Sequence, residues 1–154
     1  MSVPGEAQMS GVHILTVIVV TPEATVRETP AQFVVVPLYD GELGIAPNHS
    51  AMIGRLGYGE MRIVEGNRTD RYYVDGGFVQ VSHNVVSVLT NRAVPAEQID
   101  GEAAAEQLSA ARHRPAHTPE LLAIRERVEL QARAQIRVAA RVGKPTGSHA
   151  GSGH

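Results

Sequence analysis

Residues 12–91 alternate between short apolar runs and clusters of turn residues. The run ILTVIVV at residues 14–20 has the length of a β-strand, and AQFVVVPLY at residues 31–39 is a second one, in which Pro37 indicates an edge or a bulge. Polar and apolar positions then alternate in YGEMRIVEG, and the turn EGNR returns the chain into TDRYYVDGG. This pattern predicts closely spaced strands joined by tight turns, with DGG as a strand connection.

The connections between these strands are short. None of them could hold a crossover helix, so the sequence predicts antiparallel rather than parallel pairing. Short strands with turn signals between them are typical of an antiparallel β-sandwich or a flattened barrel. We assign the chain to the α+β class, with this sandwich first and a two-helix hairpin after it.

The pattern changes after Asn91. Residues 102–113 are rich in the helix formers Ala, Glu and Gln, and residues 120–142 repeat apolar side chains at helical spacing. Asp100 is placed to cap the first helix. Thr118 can cap the second, where the following proline suits the first helical position.

Three regions follow from this reading. We predict a sandwich domain at residues 12–91 and a helical hairpin at residues 95–142. The remaining ends, residues 1–11 and the Gly/Ser-rich residues 143–154, are predicted to be disordered.

The helical hairpin as a whole is weakly apolar, because its two helices are rich in Ala and have few large apolar side chains. A buried Ala stabilises much less than the ~1.5–3 kcal/mol of a fully buried Leu or Val. We therefore expect the hairpin to pack weakly on the sandwich, so that it can detach and bind another surface. The predicted apolar stripe of the second helix comprises Leu121, Ile124, Val128, Ala132, Ala139 and Val142, and the opposite face carries Arg125, Glu126, Glu129, Arg133, Arg137 and Arg141.

Composition narrows the function. The 154 residues are 43% hydrophobic, which is enough for a packed core, and the formal net charge of -2 argues against nucleic acid as the main partner. The chain has no cysteine, so disulfides and thiol chemistry are excluded. No apolar run is long enough to span a bilayer.

Candidate chemistry is sparse. His113 and His117 have helical spacing, but Pro115 breaks the face between them, so we predict no zinc pair. The chain has no GxxxxGK phosphate loop. We predict a protein that is not an enzyme, with no catalytic, nucleotide-binding or metal-binding residues and no cofactor.

Two classes of function remain: a rotor or scaffold subunit of an assembly, and a small-ligand-binding β-sandwich adaptor. A ligand binder should show polar and aromatic groups converging on a pocket. Here the unusual polarity lies in the turns of DGELGIAPNHS at residues 40–50, which favours a protein contact.

Several blocks together resemble one family. VVTPEATV, VVVPLYDGELGIAPNHSAMIGRLGYGEMRIV and YYVDGGFVQVSHNVVSVLTNRAVPAEQID are similar, in the same order, to the epsilon subunit of the F-type ATP synthase, over residues 12–142. The resemblance implies a β-sandwich followed by a helical hairpin. It implies a non-catalytic central-stalk subunit that turns with the gamma subunit and the c-ring, coupling proton flow to ATP synthesis at the cytoplasmic face of the bacterial inner membrane.

The resemblance also suggests contact residues. It implies that Asp40, Glu42 and His49 lie at or near the contact with the polar loops of the c-ring. It further implies that the hairpin can restrain ATP hydrolysis by reaching the catalytic alpha/beta head, for which the cationic residues are Arg125, Arg133, Arg137 and Arg141.

One family segment is incomplete. Some members bind ATP through a segment that begins I-D-x-x-R-A, and here Ile99, Asp100 and Ala104 match it. Ala103 stands at the arginine position, which removes the cation best suited to a phosphate. We therefore predict no nucleotide binding.

Overall fold

The computed structural model describes residues 14–142, so the predicted disordered ends lie outside the described residues. The strands are β1 Leu15–Val20, β2 Thr25–Ala31, β3 Phe33–Leu38, β4 Gly41–Ile45, β5 Met52–Glu65, β6 Arg68–Ser82, β7 Val85–Leu89 and β8 Ala93–Pro95. A 3₁₀ turn, Ala96–Gln98, leads into helices α1 Gly101–Arg112 and α2 Pro119–Ala140. The predicted class, a sheet domain followed by two helices, is confirmed.

Two long strands, β5 and β6, connect the two layers of the sandwich. Residues 78–82 of β6 pair with β7, whereas residues 72–74 pair with β8. The first layer therefore contains β2, β1, β7 and the adjoining halves of β6 and β5, and the second contains β8, the other halves of β6 and β5, β3 and β4. One continuous hydrogen-bonded sheet thus closes around a shared core.

The DGG segment is a bend within β6 rather than the predicted connection between strands. Gly76 and Gly77 have φ values of 75° and 107°, which residues with a Cβ atom rarely adopt. A Cβ on Gly77 would lie 1.9 Å from the carbonyl oxygen of Leu89. The sequence signal was correct for a change of direction, but the backbone hydrogen bonds continue through it.

The prediction of purely antiparallel pairing was wrong for one pair of strands. β1 and β7 run parallel, in register from Thr16 opposite Val85 to Val20 opposite Leu89. The argument from connection length considered only strands that are neighbours in sequence. Here the crossover between the two parallel strands is the rest of the sandwich, which takes the place of a helix.

The predicted turns are present. Gly41, with φ of 141°, begins β4 after the Asp40 turn, and the β5–β6 hairpin turns at Gly66 with φ of 62°. The β3–β5 pairing shifts register between Val35 and Leu38, at the position where Pro37 indicated an irregularity. Pro37 lacks an N–H, so it cannot donate to the ladder there.

The core lies between the two layers of the sandwich. Inward side chains of β1, β3, β5, β6 and β7 are fully or almost fully buried, including Val17, Val34, Ile63, Val79 and Val86. The sheet itself continues beyond residue 91, the predicted end of the sandwich domain, because β8 pairs with β6 as far as Pro95.

Both helix caps occur as predicted. The Asp100 carboxylate accepts hydrogen bonds from the backbone N–H groups of Glu102 and Ala103, at 3.0 and 3.1 Å. The Thr118 hydroxyl accepts one from the N–H of Leu121 at 3.1 Å. α1 packs along α2 through small side chains, and Ala104, Ala111 and Ala132 are buried.

Candidate functional site

The outer face of the first layer is bare: no helix of residues 14–142 packs on it, and it carries several exposed apolar side chains. Phe78 on β6 is in register with Arg55 on β5 and with Leu89 on β7, so the three side chains form a row across the sheet. Phe78 is 57% exposed and Leu89 is 51% exposed, and beside them Ile53 is 73% exposed. The Arg55 guanidinium lies 4.5 Å from the ring centroid of Tyr39. Adjoining exposed apolar side chains of this kind are typical of a protein contact surface.

The three predicted c-ring contact residues do not form one cluster. Asp40 and Glu42 lie at the start of β4, and His49 lies in the turn beyond its end. The remaining length of β4, to Ile45, separates Glu42 from the turn that contains His49, and each strand residue spans about 3.3 Å. The backbone N–H of His49 donates to the Ala46 carbonyl at 3.2 Å, and the preceding Asn48 has φ of 68°.

The outer face of the second layer is covered by α2. Tyr73 on β6 is fully buried against Ala134 and Val138 of the helix, with Ala96 of the 3₁₀ turn beside them. These two helix residues are absent from the predicted apolar stripe. Leu121 and Ile124, which we expected in that stripe, are 43% and 40% exposed, in the largely exposed N-terminal part of α2.

Asp75 forms a polar cluster beneath the middle of α2. Its Oδ1 atom accepts hydrogen bonds from the Tyr73 hydroxyl at 2.9 Å and from Gln131 Nε2 at 3.0 Å. Its backbone N–H donates to Thr90 Oγ1 at 3.0 Å, and its carbonyl accepts Asn91 Nδ2 at 3.1 Å. Burial, together with the negative charge of Asp75, raises the pKa of the Tyr73 phenol.

Glu60 forms a second cluster beneath the C-terminal end of α2. Its side chain is only 4% exposed, and its Oε1 atom lies 2.9 Å from Arg62 Nη1 and 3.4 Å from Arg141 Nη1. Arg71 Nε lies 3.8 Å from Glu60 Oε2, and Arg71 Nη1 donates to the carbonyl of Arg141 at 3.2 Å. A buried carboxylate is thus surrounded by three guanidinium groups, one of which belongs to the residue that caps the C-terminal end of α2.

Arg62 joins this cluster to the predicted c-ring contact. Its Nη1 atom also lies 3.4 Å from Glu42 Oε2. Burial lowers the pKa of the Arg62 guanidinium, but hydrogen bonds to Glu60 and Glu42 outweigh burial, and the net shift is upward. A cleft of about 450 Å³ lies between Glu42 and the C-terminal end of α2, where Arg137 and Arg141 line it.

The four arginines predicted to reach the catalytic head have different environments. Arg125 Nε pairs with Glu129 at 3.3 Å, one turn along the same helix. Arg141, which caps the C-terminal end of α2, contacts Glu60, so in this conformation it faces the sandwich. Arg133 and Arg137 are exposed.

Glu60, Tyr73 and Asp75 were not identified as site residues from the sequence, because the signal for them is weak. The alternation in YGEMRIVEG places Glu60 among the polar positions of its strand, opposite the apolar positions of Met61 and Ile63. In the structure Glu60 is in register with Tyr73 and Arg62 with Arg71. Tyr73 packs against Ala134 and Val138 of α2.

Comparison with known proteins identifies the family. Residues 14–96 match the family model for the beta-sandwich domain of the ATP synthase Delta/Epsilon chain. A 120-residue segment, 78% of this chain, is 45% identical to the ATP synthase epsilon chain of Rhodopirellula baltica and covers 94% of that protein. The chain belongs to the ATP synthase epsilon chain family. Because 120 residues exceed the stretch from Met1 to Ala96, the similarity extends into the helical hairpin.

Other epsilon chains and solved ATP synthases agree. The epsilon chain of Desulfitobacterium hafniense (strain DSM 10664 / DCB-2) is 40% identical over 85 residues, which cover 55% of this chain and 64% of that one. A chain of the Euglena gracilis mitochondrial ATP synthase superimposes with a TM-score of 0.64 at 25% identity, over 83% of this chain and 78% of that one. A chain of the Tetrahymena thermophila central stalk/c-ring structure, 14% identical, shows the same fold with a TM-score of 0.64, over 81% of this chain and 96% of its own.

Membership of the epsilon chain family decides between the two classes of function. The predicted non-catalytic rotor subunit of the F-type ATP synthase is confirmed, which sets aside the ligand-binding adaptor. The protein is therefore part of a membrane-associated complex. No helix of residues 14–142 combines the length and apolarity needed to cross a membrane.

Proposed function

We propose that the two outer faces of the sandwich have separate functions within the rotor. The bare face of the first layer binds the gamma subunit, and the β3–β4 turn meets the polar loops of the c-ring. The hairpin on the second layer is a removable brake that reaches the catalytic alpha/beta head when it leaves the sandwich. In this arrangement the protein works at the cytoplasmic face of the bacterial inner membrane.

The carrying observation is the difference between the two faces. α2 covers Tyr73 and Asp75 on one side, whereas Phe78, Leu89 and Ile53 stay exposed on the other. A rotor subunit must hold its partner firmly, and an apolar sheet face offers the area for that. Charged turns such as Asp40 and Glu42 suit a polar loop.

A pull-down tests the gamma contact. Phe78→Asp places a charge in the centre of the bare face, so gamma should be retained at least about tenfold less strongly, a loss of roughly 1.4 kcal/mol in binding. Phe33→Asp is the matched control, because Phe33 is an exposed phenylalanine, 38% accessible, on the other layer. Equal retention of gamma by both variants would exclude this face as the gamma contact.

A reversible cross-link tests the brake. A Cβ on Gly101 would lie 3.2 Å from the Cβ of Ala139, close to the ~3.5–4.5 Å of disulfides, and the chain has no other cysteine. Gly101→Cys with Ala139→Cys should therefore, when oxidised, tie the end of α2 to the start of α1, which follows β8 by only a few residues, so that α2 cannot extend away from the sandwich. We expect the oxidised complex to hydrolyse ATP faster than the reduced one. Each single cysteine variant is the control, and a rate that does not respond to reduction in the double variant contradicts the brake.

A further inference from the structure

The buried Glu60 carboxylate keeps cationic partners both when α2 is docked on the sandwich and when α2 leaves it. With the helix docked, Glu60 contacts Arg62, Arg71 and Arg141. If α2 leaves, Arg141 goes with it, but Arg62 and Arg71 belong to the sheet and remain. Removing the last partner of a buried charge is strongly unfavourable, but Glu60 keeps two partners when α2 leaves, so the release of α2 avoids that cost.

The docked position also leaves two buried atoms unsatisfied. Glu60 Oε2 and Arg71 Nε are buried without a hydrogen-bond partner, and they face each other at 3.8 Å. Arg71 meanwhile donates from Nη1 to the Arg141 carbonyl at the end of α2. When α2 leaves, Arg71 loses this acceptor and can close the gap to Glu60. Undocking therefore exchanges one set of polar contacts around Glu60 for another, which limits the electrostatic cost of release at this cluster.

Arg62 connects this balance to the β3–β4 turn, because Glu60 and the half-exposed Glu42 share its Nη1 atom. We propose that an arginine or lysine of the partner at this turn, by engaging Glu42, weakens the hold of Glu60 on Arg141 and so releases α2. This rests on the proposed function, since a hairpin that never left the sandwich would need no release.

The sign of the coupling follows from the geometry. When Glu42 is occupied by an external cation, Arg62 turns wholly to Glu60, and Glu60 then attracts Arg141 less. Glu42 also lines the cleft that contains Arg137 and Arg141, so neutralising it removes a second attraction for the end of α2. Both effects favour release, and by linkage a released hairpin makes Glu42 more available to the cation.

Amide hydrogen exchange of the full-length isolated subunit tests the coupling. Glu42→Gln mimics neutralisation of Glu42 by a partner. It should speed exchange in the C-terminal half of α2 about threefold or more, while the inner residues of β5 and β6 report an intact sandwich. Glu28→Gln is the matched control, an exposed glutamate on β2 with the same change of charge.

A double-mutant cycle shows whether the effect passes through the Glu60 cluster. Arg141→Gln should speed exchange in α2 by itself, and adding Glu42→Gln should then change it little. Raising salt from about 0.05 to about 0.5 M should loosen α2 in the wild type and much less in Arg141→Gln, because Arg141 is half exposed.

Two results would overturn the proposal: exchange in Glu42→Gln equal to that in Glu28→Gln, or full additivity of Glu42→Gln and Arg141→Gln. Both readouts use the isolated subunit and no hydrolysis assay. If these exchange experiments contradict the Glu42 coupling, inhibition by the hairpin is still tested separately, by ATP hydrolysis of the cross-linked complex.

Discussion

Gln131 of α2 donates a hydrogen bond to Asp75 of β6 at 3.0 Å, on the same carboxylate oxygen that accepts the Tyr73 hydroxyl. The hairpin is therefore held by directed polar contacts as well as by small apolar side chains. The expectation of weak packing considered only the size of the apolar residues. Asp75 in the middle of the contact and Glu60 at its end add interactions that side-chain size does not reveal.

Tyr73→Phe should destabilise the protein by about 0.5–1.5 kcal/mol at neutral pH, because it removes the hydrogen bond to Asp75. It should also flatten the alkaline pH dependence. The folded pKa of Tyr73 is raised above its unfolded value of about 10, so the unfolded chain loses this proton first. Stability from this group is complete below about pH 10 and falls as pH rises above it.

Urea unfolding between about pH 8 and about pH 11 measures this effect. Tyr39→Phe is the control, because Tyr39 is 70% exposed. An alkaline slope in Tyr73→Phe as steep as in the wild type would contradict the assignment.

Gly77→Ala should be among the most damaging single changes, at roughly 3 kcal/mol or more. The new Cβ would lie 1.9 Å from the Leu89 carbonyl oxygen, and the alanine would have to adopt a φ of 107°. Gly66→Ala is the matched control, since Gly66 has φ of 62° and open space around it, and should cost only about 1–2 kcal/mol. Equal midpoints of thermal unfolding for the two variants would be inconsistent with a close contact at the β6 bend.

Much of the fold could be predicted because its signals are local. Asp100 and Thr118 mark helix starts through their own side chains, and Gly41 and Gly66 mark turns through their backbone freedom. The parallel β1–β7 pair could not be predicted in this way. It joins residues from the two ends of the sandwich, and no short segment contains that information.

The candidate site divides along the same line. The exposed charge of Glu42 was identifiable because Glu42 follows the Asp40 turn and has no role of its own in forming that turn. Glu60 was not, because the alternation in β5 places it outward, and only the covering helix makes that position buried. Ala134 and Val138 were missed for a related reason: a long helix repeats small apolar residues on several faces, and its contact with the sheet selects one.

Glu42→Lys should weaken the coupling of the rotor to the c-ring while leaving the sandwich folded. Glu42 is 54% exposed, and its contact with Arg62 at 3.4 Å contributes at most about 1 kcal/mol. Proton-driven ATP synthesis by a reconstituted complex is the measurement, with Glu28→Lys as the control of equal charge change. Normal synthesis in the Glu42 variant would argue against a c-ring contact at this turn.

Truncation after Gln98 should leave a folded sandwich that binds gamma, and ATP hydrolysis by the assembled enzyme should rise. The cut must follow β8, because Ala93–Pro95 pairs with β6 and an earlier end would remove an edge strand. Hydrolysis is compared with the full-length complex at equal ionic strength. Equal rates would mean that the hairpin does not inhibit this enzyme.

The isolated subunit should not bind ATP with a Kd of about 1 mM or tighter. Ala103 is exposed on the first turn of α1, where the family segment carries an arginine, and its methyl group offers a phosphate no charge. Titration calorimetry tests this, with Ala103→Arg as the comparison that restores the cation. Heat of binding from the wild-type protein in that range would refute the prediction.

The parallel pairing of β1 with β7 has a consequence for synthesis on the ribosome. Thr16 emerges early, but its partner Val85 is translated only after nearly the whole sandwich. At about 5–20 residues per second this delay is roughly 3–15 s. During that time the edge of β1 that β7 will cover is open to pairing with other nascent chains. A chaperone that binds the N-terminal part of the nascent chain would therefore protect this edge when it is most exposed, well before the subunit meets the enzyme.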